Sequence, residues 1–420
     1  MQRKCLMAAT KKTVRDLPRN VWIVTLTSFL TDISSEMIFN LLPLFLANVL
    51  GIRMAGIGLI EGMAESTASL LKVISGWFSD KVGKRKRLAV LGYGISAVAK
   101  PFLLIVTSWW GVFAVRFAER VGKGVRTAPR DALIADSIDK DHRGLAFGLH
   151  RAGDTAGAVL GLVLAFGIVW ASQAGALSLS RETFQRAVWL SIIPAFLAVA
   201  VLALGARETA VTGPKREAPR LTWRGFDQRF RRFLLVLVLF TLGNSADAFL
   251  ILRAQERGLS VLGILGMLIS FNLVYTVLSG PLGSLSDRIG RRKLIIGGWL
   301  FYALLYLGFG LATAVWQIIL FFILYGVYYG AVEGTARAYV ADIVPQEQRG
   351  TAYGLYHAAV GLAALPASLV AGLLWQGVGS WTGFGPGAPF FLGASLAMTA
   401  VLLFAFWVPK TAVAPSPTVS

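Results

Sequence analysis

The sequence is poor in the residues on which soluble folds and metal sites rest. Only 15% of its 420 residues are charged, and 22 of them are Asp or Glu. A chain of this length with so little charge cannot cover itself with polar surface in water. Its single cysteine, Cys5, excludes an internal disulfide and leaves the redox compartment unread. Of three histidines, His150 and His357 stand 207 residues apart near helix starts without ligand spacing, so no metal site is expected. No cofactor is expected either: Gly122–Thr127, GKGVRT, lacks the spacing of a phosphate loop and follows no strand. No polar segment is long enough for a soluble enzyme or a nucleic-acid-binding domain.

Apolar residues are abundant, at 55%. Runs of about 18 or more recur along the chain, each long enough to cross a bilayer as a helix. Twelve spans are expected, at 21–49, 55–79, 88–107, 109–126, 143–170, 186–206, 233–252, 258–284, 294–313, 315–340, 349–376 and 387–408. Lipid admits helices as the only open-ended spanning structure, so the fold class is an all-α polytopic membrane protein. The first 20 residues carry six bases but no cleavage-site pattern, and the first span is expected to be retained. Of 41 Lys and Arg, 29 fall in the termini and alternate loops, 5 in the opposite loops and 7 inside spans. That bias places both termini in the cytoplasm and makes the net charge of +19 a matter of topology, not of nucleic-acid binding.

The stretch from Arg207 to Arg232 holds Pro214, Pro219 and eight bases. It reads as a cytoplasmic linker (207–232) between bundles of six helices at 1–206 and 233–420. A repeat crosses it. GWFSDKVGKRK at 76–86 recurs as GSLSDRIGRRK at 283–293, and Ala135-Asp136 with Arg143-Gly144 recurs as Ala341-Asp342 with Arg349-Gly350. Two blocks at nearly one offset make a duplicated six-helix unit, the construction of transporters that rock two bundles around a central site. The loop Gly-x-x-x-Asp-x-x-Gly-Lys/Arg-Lys/Arg resembles the hallmark of the major facilitator superfamily, complete in both halves. The resemblance covers the whole chain and implies two pseudo-symmetric six-helix bundles. It also implies a cytoplasmic gate formed by Gly76, Asp80, Gly83, Lys84 and Arg85, with Gly283, Asp287, Gly290, Arg291 and Arg292. In physical terms Gly76 and Gly283 would permit close helix approach, and Gly83 and Gly290 a tight turn. Arg130, near the cytoplasmic end of span 4, belongs with this gate.

An ionisable group at a span centre costs about 2.5–3.5 kcal/mol even on lenient scales, so each marks a candidate position. The spans hold eight acids, Asp32, Glu36, Glu61, Glu65, Glu119, Asp154, Asp247 and Glu333. Seven bases join them, Lys72, Lys100, Arg116, Arg120, Lys123, Arg151 and Arg337, and twelve of the fifteen charges lie in the first half. At about 100° per residue, Arg116, Glu119, Arg120, Lys123, Arg126 and Arg130 share a stripe narrower than half of span 4. Asp32 and Glu36, like Glu61 and Glu65, are i, i+4 neighbours. An interior network between the acids of spans 1 and 2 and this basic stripe is expected, with a working role and a static salt-bridge role both open. Asp32, Glu36 and Glu65 are the first candidates for a proton-coupling acid, Asp154 and Asp247 the second. Asp247 ends the polar patch Gly243-Asn244-Ser245-Ala246-Asp247, which would line a cavity from the second half. Arg151 and Asp154 are hard to explain as packing, whereas Glu333 and Arg337 suggest a local ion pair.

Arg116-x-x-Glu119-Arg120-x-Gly122 resembles the span 4 signature of proton-coupled drug antiporters, Arg-x-x-Gln-Gly-x-Gly. That likeness implies a proton-transfer role for Arg116, with Glu119 standing for Gln and Arg120 for Gly. Gly148 and Gly157-Ala158-x-x-Gly161 partly resemble the antiporter signature of span 5, with Ala158 for Pro and Leu162 for the last Gly. These glycines also fit plain helix packing. Residues 119–136, ERVGKGVRTAPRDALIAD, resemble a block of poorly characterised prokaryotic members of the superfamily. There Gly122, Gly124 and Pro129 are expected to end span 4, with 132–138 as a short interfacial helix. The resemblance implies a monomeric multi-pass transporter of the prokaryotic inner membrane, exporting drugs or small organic metabolites in exchange for protons. An importer, or a carrier of organic anions or metal chelates on the Arg116, Arg120 and Lys123 face, is the alternative. A non-transporting scaffold or sensor comes third.

Overall fold

The computed structural model describes residues 14–139, 142–209, 225–345 and 348–409, and only the backbone at Val14 and Asp80. Most of the expected linker, 210–224, lies outside the described residues, as do the basic residues before Val14 and the Asp80 carboxylate. The first half runs α1 (Arg19–Phe39), α2 (Leu42–Leu44), α3 (Met54–Val82), α4 (Arg85–Ala99), α5 (Trp109–Asp136), α6 (Arg143–Gln173) and α7 (Arg181–Gly205). The second runs α8 (Gln228–Leu242), α9 (Ala248–Glu256), α10 (Val261–Ile289), α11 (Arg291–Leu311), α12 (Val315–Ile343), α13 (Arg349–Gln376) and α14 (Ala388–Phe406). Serine caps open three of them: Ser108, Ser180 and Ser260 each accept a backbone N–H three residues on. Gly83 and Gly290 close α3 and α10 with φ of 67° and 93°, which a side chain would strain.

Nine spans among the described residues are long and apolar enough to cross a membrane. The three others expected from the sequence are α3, α5 and the pair α8–α9. The first two are diluted by charge, and the third is split into helices of 15 and 9 residues. Membrane apolarity therefore fails where polar groups gather, and those three segments surround one cavity.

Two corrections concern glycine. The helix of span 4 does not end at Gly122, Gly124 or Pro129; α5 continues through all three to Asp136, and no separate interfacial helix follows. A Cβ on Gly122 would lie 2.5 Å from the Gly92 carbonyl oxygen of α4, and one on Gly124 would lie 2.4 Å from Leu71 Cβ of α3. These glycines let α5 sit tightly between α3 and α4. Gly76 does serve a close approach, with a Cβ position 3.3 Å from Ala128, but Gly283 faces open space. On α6, Gly157 and Gly161 would meet the Phe29 and Ile33 carbonyl oxygens of α1 at 2.4 and 2.6 Å, whereas Gly148 meets nothing.

The repeat relates the halves, and one contact joins two corresponding residues across them. Asn48 and Gln255, separated by the repeat offset of 207, exchange side-chain amide hydrogen bonds of 3.1 and 2.7 Å. The first amides of α3 and α10, Met54 and Val261, also differ by 207. Each donates across to the other half, to Gln376 Oε1 at 2.9 Å and the Ala176 carbonyl at 3.1 Å. The halves are thus closed together at the end remote from the charged loops. Beside this end Arg253, 1% exposed, donates to the Phe309, Gly310 and Ala312 carbonyls that finish α11, and to Glu256. Arg253→Met strands those carbonyls in an apolar setting and should destabilise the purified protein by about 3 kcal/mol, read from its thermal unfolding. An unchanged melting temperature would assign these contacts no weight.

Candidate functional site

A cavity of about 500 Å³ lies between the halves, lined by Glu36, Glu61, Glu65, Arg116 and Arg120 from the first and by Asn244 and Asp247 from the second. Close packing of α3, α4 and α5 brings acids and bases together. Arg116 Nη2 reaches Glu61 Oε2 at 2.7 Å, and its Nη1 reaches Glu119 Oε2 at 3.3 Å. Arg120 meets Glu65 at 2.9 Å and the same Glu119 oxygen at 3.3 Å. Glu119 therefore ties the two arginines together, and the Arg116 guanidinium lies 4.1 Å from the Phe39 ring centre. Such pairs hold only where their partners are all present, because an uncompensated charge in this setting is costly.

The acids of α1 behave differently. Neither Asp32 nor Glu36 forms an ion pair with the α5 stripe; Glu36 accepts a 2.7 Å hydrogen bond from Asn40 Nδ2 instead. The expected network thus joins spans 2 and 4 and omits span 1. A second base lies against α1. Lys100, buried on the one-turn extension of α4, donates to Ser34 Oγ at 2.5 Å and Ser35 Oγ at 3.2 Å. Lys123 and Lys72 add positive charge to the surroundings of Glu65 and have no ion-pair partner among the described residues.

Across the cavity the chain breaks. Between α8 and α9, residues 243–247 leave the helix, and Asn244 Oδ1 accepts from Tyr302 at 3.2 Å and Tyr306 at 3.4 Å. Asp247 Oδ1 accepts from Tyr325 at 3.3 Å. The first span of the other half breaks at the same place, since α1 ends at Phe39 and Asn40 corresponds to Asp247 by the repeat offset. Paired interruptions of this kind expose backbone and polar side chains to a central site.

Towards the charged loops, Arg130 pairs with Asp131 at 2.8 Å and donates to Ser28 Oγ at 3.3 Å. His150 Nε2 stands 3.6 Å from Asp154, so this histidine does have a neighbouring carboxylate, one turn further along α6. No group of three metal-capable side chains gathers among the described residues. Glu333 and Arg337 pair locally, but they are also part of a link between halves: Arg151 donates to Tyr275 Oη at 2.5 Å and lies 3.8 Å from Glu333, which accepts from Tyr275 at 2.7 Å. In the repeated loops, Arg85 pairs with Asp136 at 2.8 Å, and Arg291 pairs with Asp342 and, at 3.3 Å, with Asp287. The same helix-end acid thus meets a loop arginine in each half. Arg292 instead donates to the Phe404 and Ala405 carbonyls, and Lys84 is exposed at the start of α4.

Helices from both halves around a polar cavity, broken spans facing it and a duplicated six-helix unit are the features of a membrane transporter, not an enzyme. The chain belongs to the Major Facilitator Superfamily, whose sequence profile matches residues 24–271 and 233–419. It is 36% identical over 398 residues to an uncharacterised MFS-type transporter of Methanocaldococcus jannaschii, covering 93% of this chain and 96% of that one. It is 26% identical over 330 residues to the multidrug resistance protein MdtG of Escherichia fergusonii, covering 75% and 77%. Among solved structures it superimposes on a mutant of the nucleoside transporter NupG with a TM-score of 0.74 at 13% identity, over 92% of this chain and 99% of that one.

Proposed function

We propose that the protein exports small organic molecules in exchange for protons, by alternating access between two bundles that rock about the central cavity. The observation that carries this reading is that Glu36 and Asp247, acids without an ion-pair partner among the described residues, share one inter-half cavity with an ion-pair cluster. Glu36, Asp247 and Asp32 are the proton-coupling candidates; Arg116 and Arg120 with Glu61, Glu65 and Glu119 set the field around them. Lys123, Arg151 and Asp154 line the route towards the charged loops, which face the cytoplasm together with both termini. The loop pairs Arg85–Asp136 and Arg291–Asp342, with Arg130, act as the latch of that face. The protein works as a monomer in the prokaryotic inner membrane. Similarity to multidrug resistance and efflux proteins supports the export direction. An anion carrier would need free guanidinium groups, and Arg116 and Arg120 are held by three carboxylates.

The test uses protein in liposomes with an entrapped pH dye and compounds that raise the melting temperature of the purified protein. Such compounds should drive proton movement, at least tenfold slower in Glu36→Gln and in Asp32→Asn. Wild-type proton flux in both variants would remove these acids from the coupling step.

A further inference from the structure

We infer that the central cavity receives an organic cation with N–H donors, a protonated amine on an aromatic or apolar body. This deepens the transport reading above and rests on the cavity being its site. Charge decides the sign. Four carboxylates line the cavity, Glu36, Glu61, Glu65 and Asp247, against the two guanidinium groups of Arg116 and Arg120. Glu119 and the bases Lys72, Lys100 and Lys123 are not part of this lining.

The position of the spare charge matters more than the total. Both guanidinium groups are engaged by Glu61, Glu119 and Glu65, so they offer little to an anion. Glu36 and Asp247 stand on opposite sides of the cavity and are hydrogen-bonded by neutral groups, Asn40 and Tyr325. A ligand cation would neutralise what these partners do not.

A second observation points to donors on that ligand. Glu61 lines the cavity and is 6% exposed, yet its Oε1 has no hydrogen-bond partner among the described residues. A buried carboxylate oxygen left unpaired carries a desolvation cost, which a ligand N–H removes. Quaternary cations cannot do this. The remaining wall is aromatic: Phe271, Phe322 and Tyr329 line the cavity beside Asp247, with Phe271 edge-on to Phe322 at 5.3 Å and to Tyr329 at 5.5 Å. Ring faces near a carboxylate suit an ammonium and an apolar body together.

The experiment holds the body constant and changes the head group. Binding to the detergent-purified full chain is measured by calorimetry for 2-(1-naphthyl)ethylamine, its N-trimethyl derivative, the matching alcohol and 1-naphthylacetate. The protonated amine should bind at least tenfold more tightly than the alcohol and the trimethyl cation, and the carboxylate should not saturate. Glu36→Gln and Asp247→Asn should each weaken the amine about tenfold and the alcohol much less. Equal affinities across the series, tighter binding of the carboxylate, or no saturable binding of the amine would overturn the inference, and this series needs only the wild-type chain. Amine binding without proton flux would keep the inference and remove the exchange mechanism. Flux driven only by neutral or anionic compounds would do the reverse.

Discussion

Arg116→Gln is expected to destabilise the protein by about 3–5 kcal/mol and to abolish coupled transport, whereas the double variant Glu61→Gln/Arg116→Gln should regain most of the stability. Arg116 is 4% exposed and holds Glu61 at 2.7 Å and Glu119 at 3.3 Å over the Phe39 ring. Removing it leaves two carboxylates next to each other, with Arg120 reaching only one of them. Replacing both members of the Arg116–Glu61 pair by neutral amides removes a charge of each sign, so the penalty for a lone buried charge largely disappears. Thermal unfolding of the two single variants and the double gives the coupling energy as a cycle. Proton flux in the same four proteins then separates the two roles left open by the sequence. A double variant that is stable but inactive assigns the pair a part in transport; one that is stable and active makes it a static brace. Arg116→Lys keeps the charge but not the bidentate fork, and should fall between wild type and Arg116→Gln on both measures.

What the sequence made legible follows from the range of each signal. Apolar length is a local property, so the spans could be read directly, as could the duplicated loops at their offset. The charged stripe on α5 was also local, since one helix fixes the angles among its own side chains. Which neighbour that stripe meets is not local. Asp32 and Glu36 look as suitable as Glu61 and Glu65 by spacing, yet only the α3 pair reaches the guanidinium groups, because Gly124 seats α5 against Leu71 of α3. Glycine itself is ambiguous: Gly122 and Gly124 read as a helix end, and only the neighbouring backbone shows them to be contact points. The breaks at 40–41 and 243–247 were hidden for another reason. Each lies inside a long apolar run, the first with Asn40 as its one polar residue, and their meaning comes from corresponding by 207 positions. That correspondence was available, and so was the match of Asn48 to Gln255. The tyrosine group behind Asn244 and Asp247 carried no signal, because aromatic residues are common packing residues in any span.

Gly58→Leu should leave the protein folded but open the seam at the end remote from the charged loops, with transport slowed at least tenfold. The sequence Gly58-Leu59-Ile60-Glu61-Gly62 places two small residues one turn apart on α3. Opposite them lies α13. A Cβ on Gly58 would fall 2.1 Å from the Ser368 carbonyl oxygen, and one on Gly62 2.9 Å from Leu365 Cα. From the other side, Gly361 and Gly372 would meet Ser69 Cβ and the Met54 carbonyl oxygen at 2.4 and 2.3 Å. Backbone therefore approaches backbone from Met54 to Gly62, across the boundary between halves. A large side chain cannot be absorbed there by a rotamer change, and the overpacking costs about 1–3 kcal/mol if the seam stays shut. The proposed alternating access would supply a second state in which α3 and α13 part and that cost vanishes, so a leucine would shift the population towards it. The shift can be read because Cys5 is the only native cysteine. In a Cys5→Ser background, Ser368→Cys should react slowly with a membrane-impermeant maleimide applied from that side, and at least tenfold faster once Gly58→Leu is added. If labelling is unchanged while the melting temperature falls, the seam is ordinary core and does not move. A glycine contact along the part of α3 that also carries Glu61 and Glu65 would couple opening of the seam to the geometry of the charged cluster, because α3 cannot leave α13 without moving relative to α8 and α9.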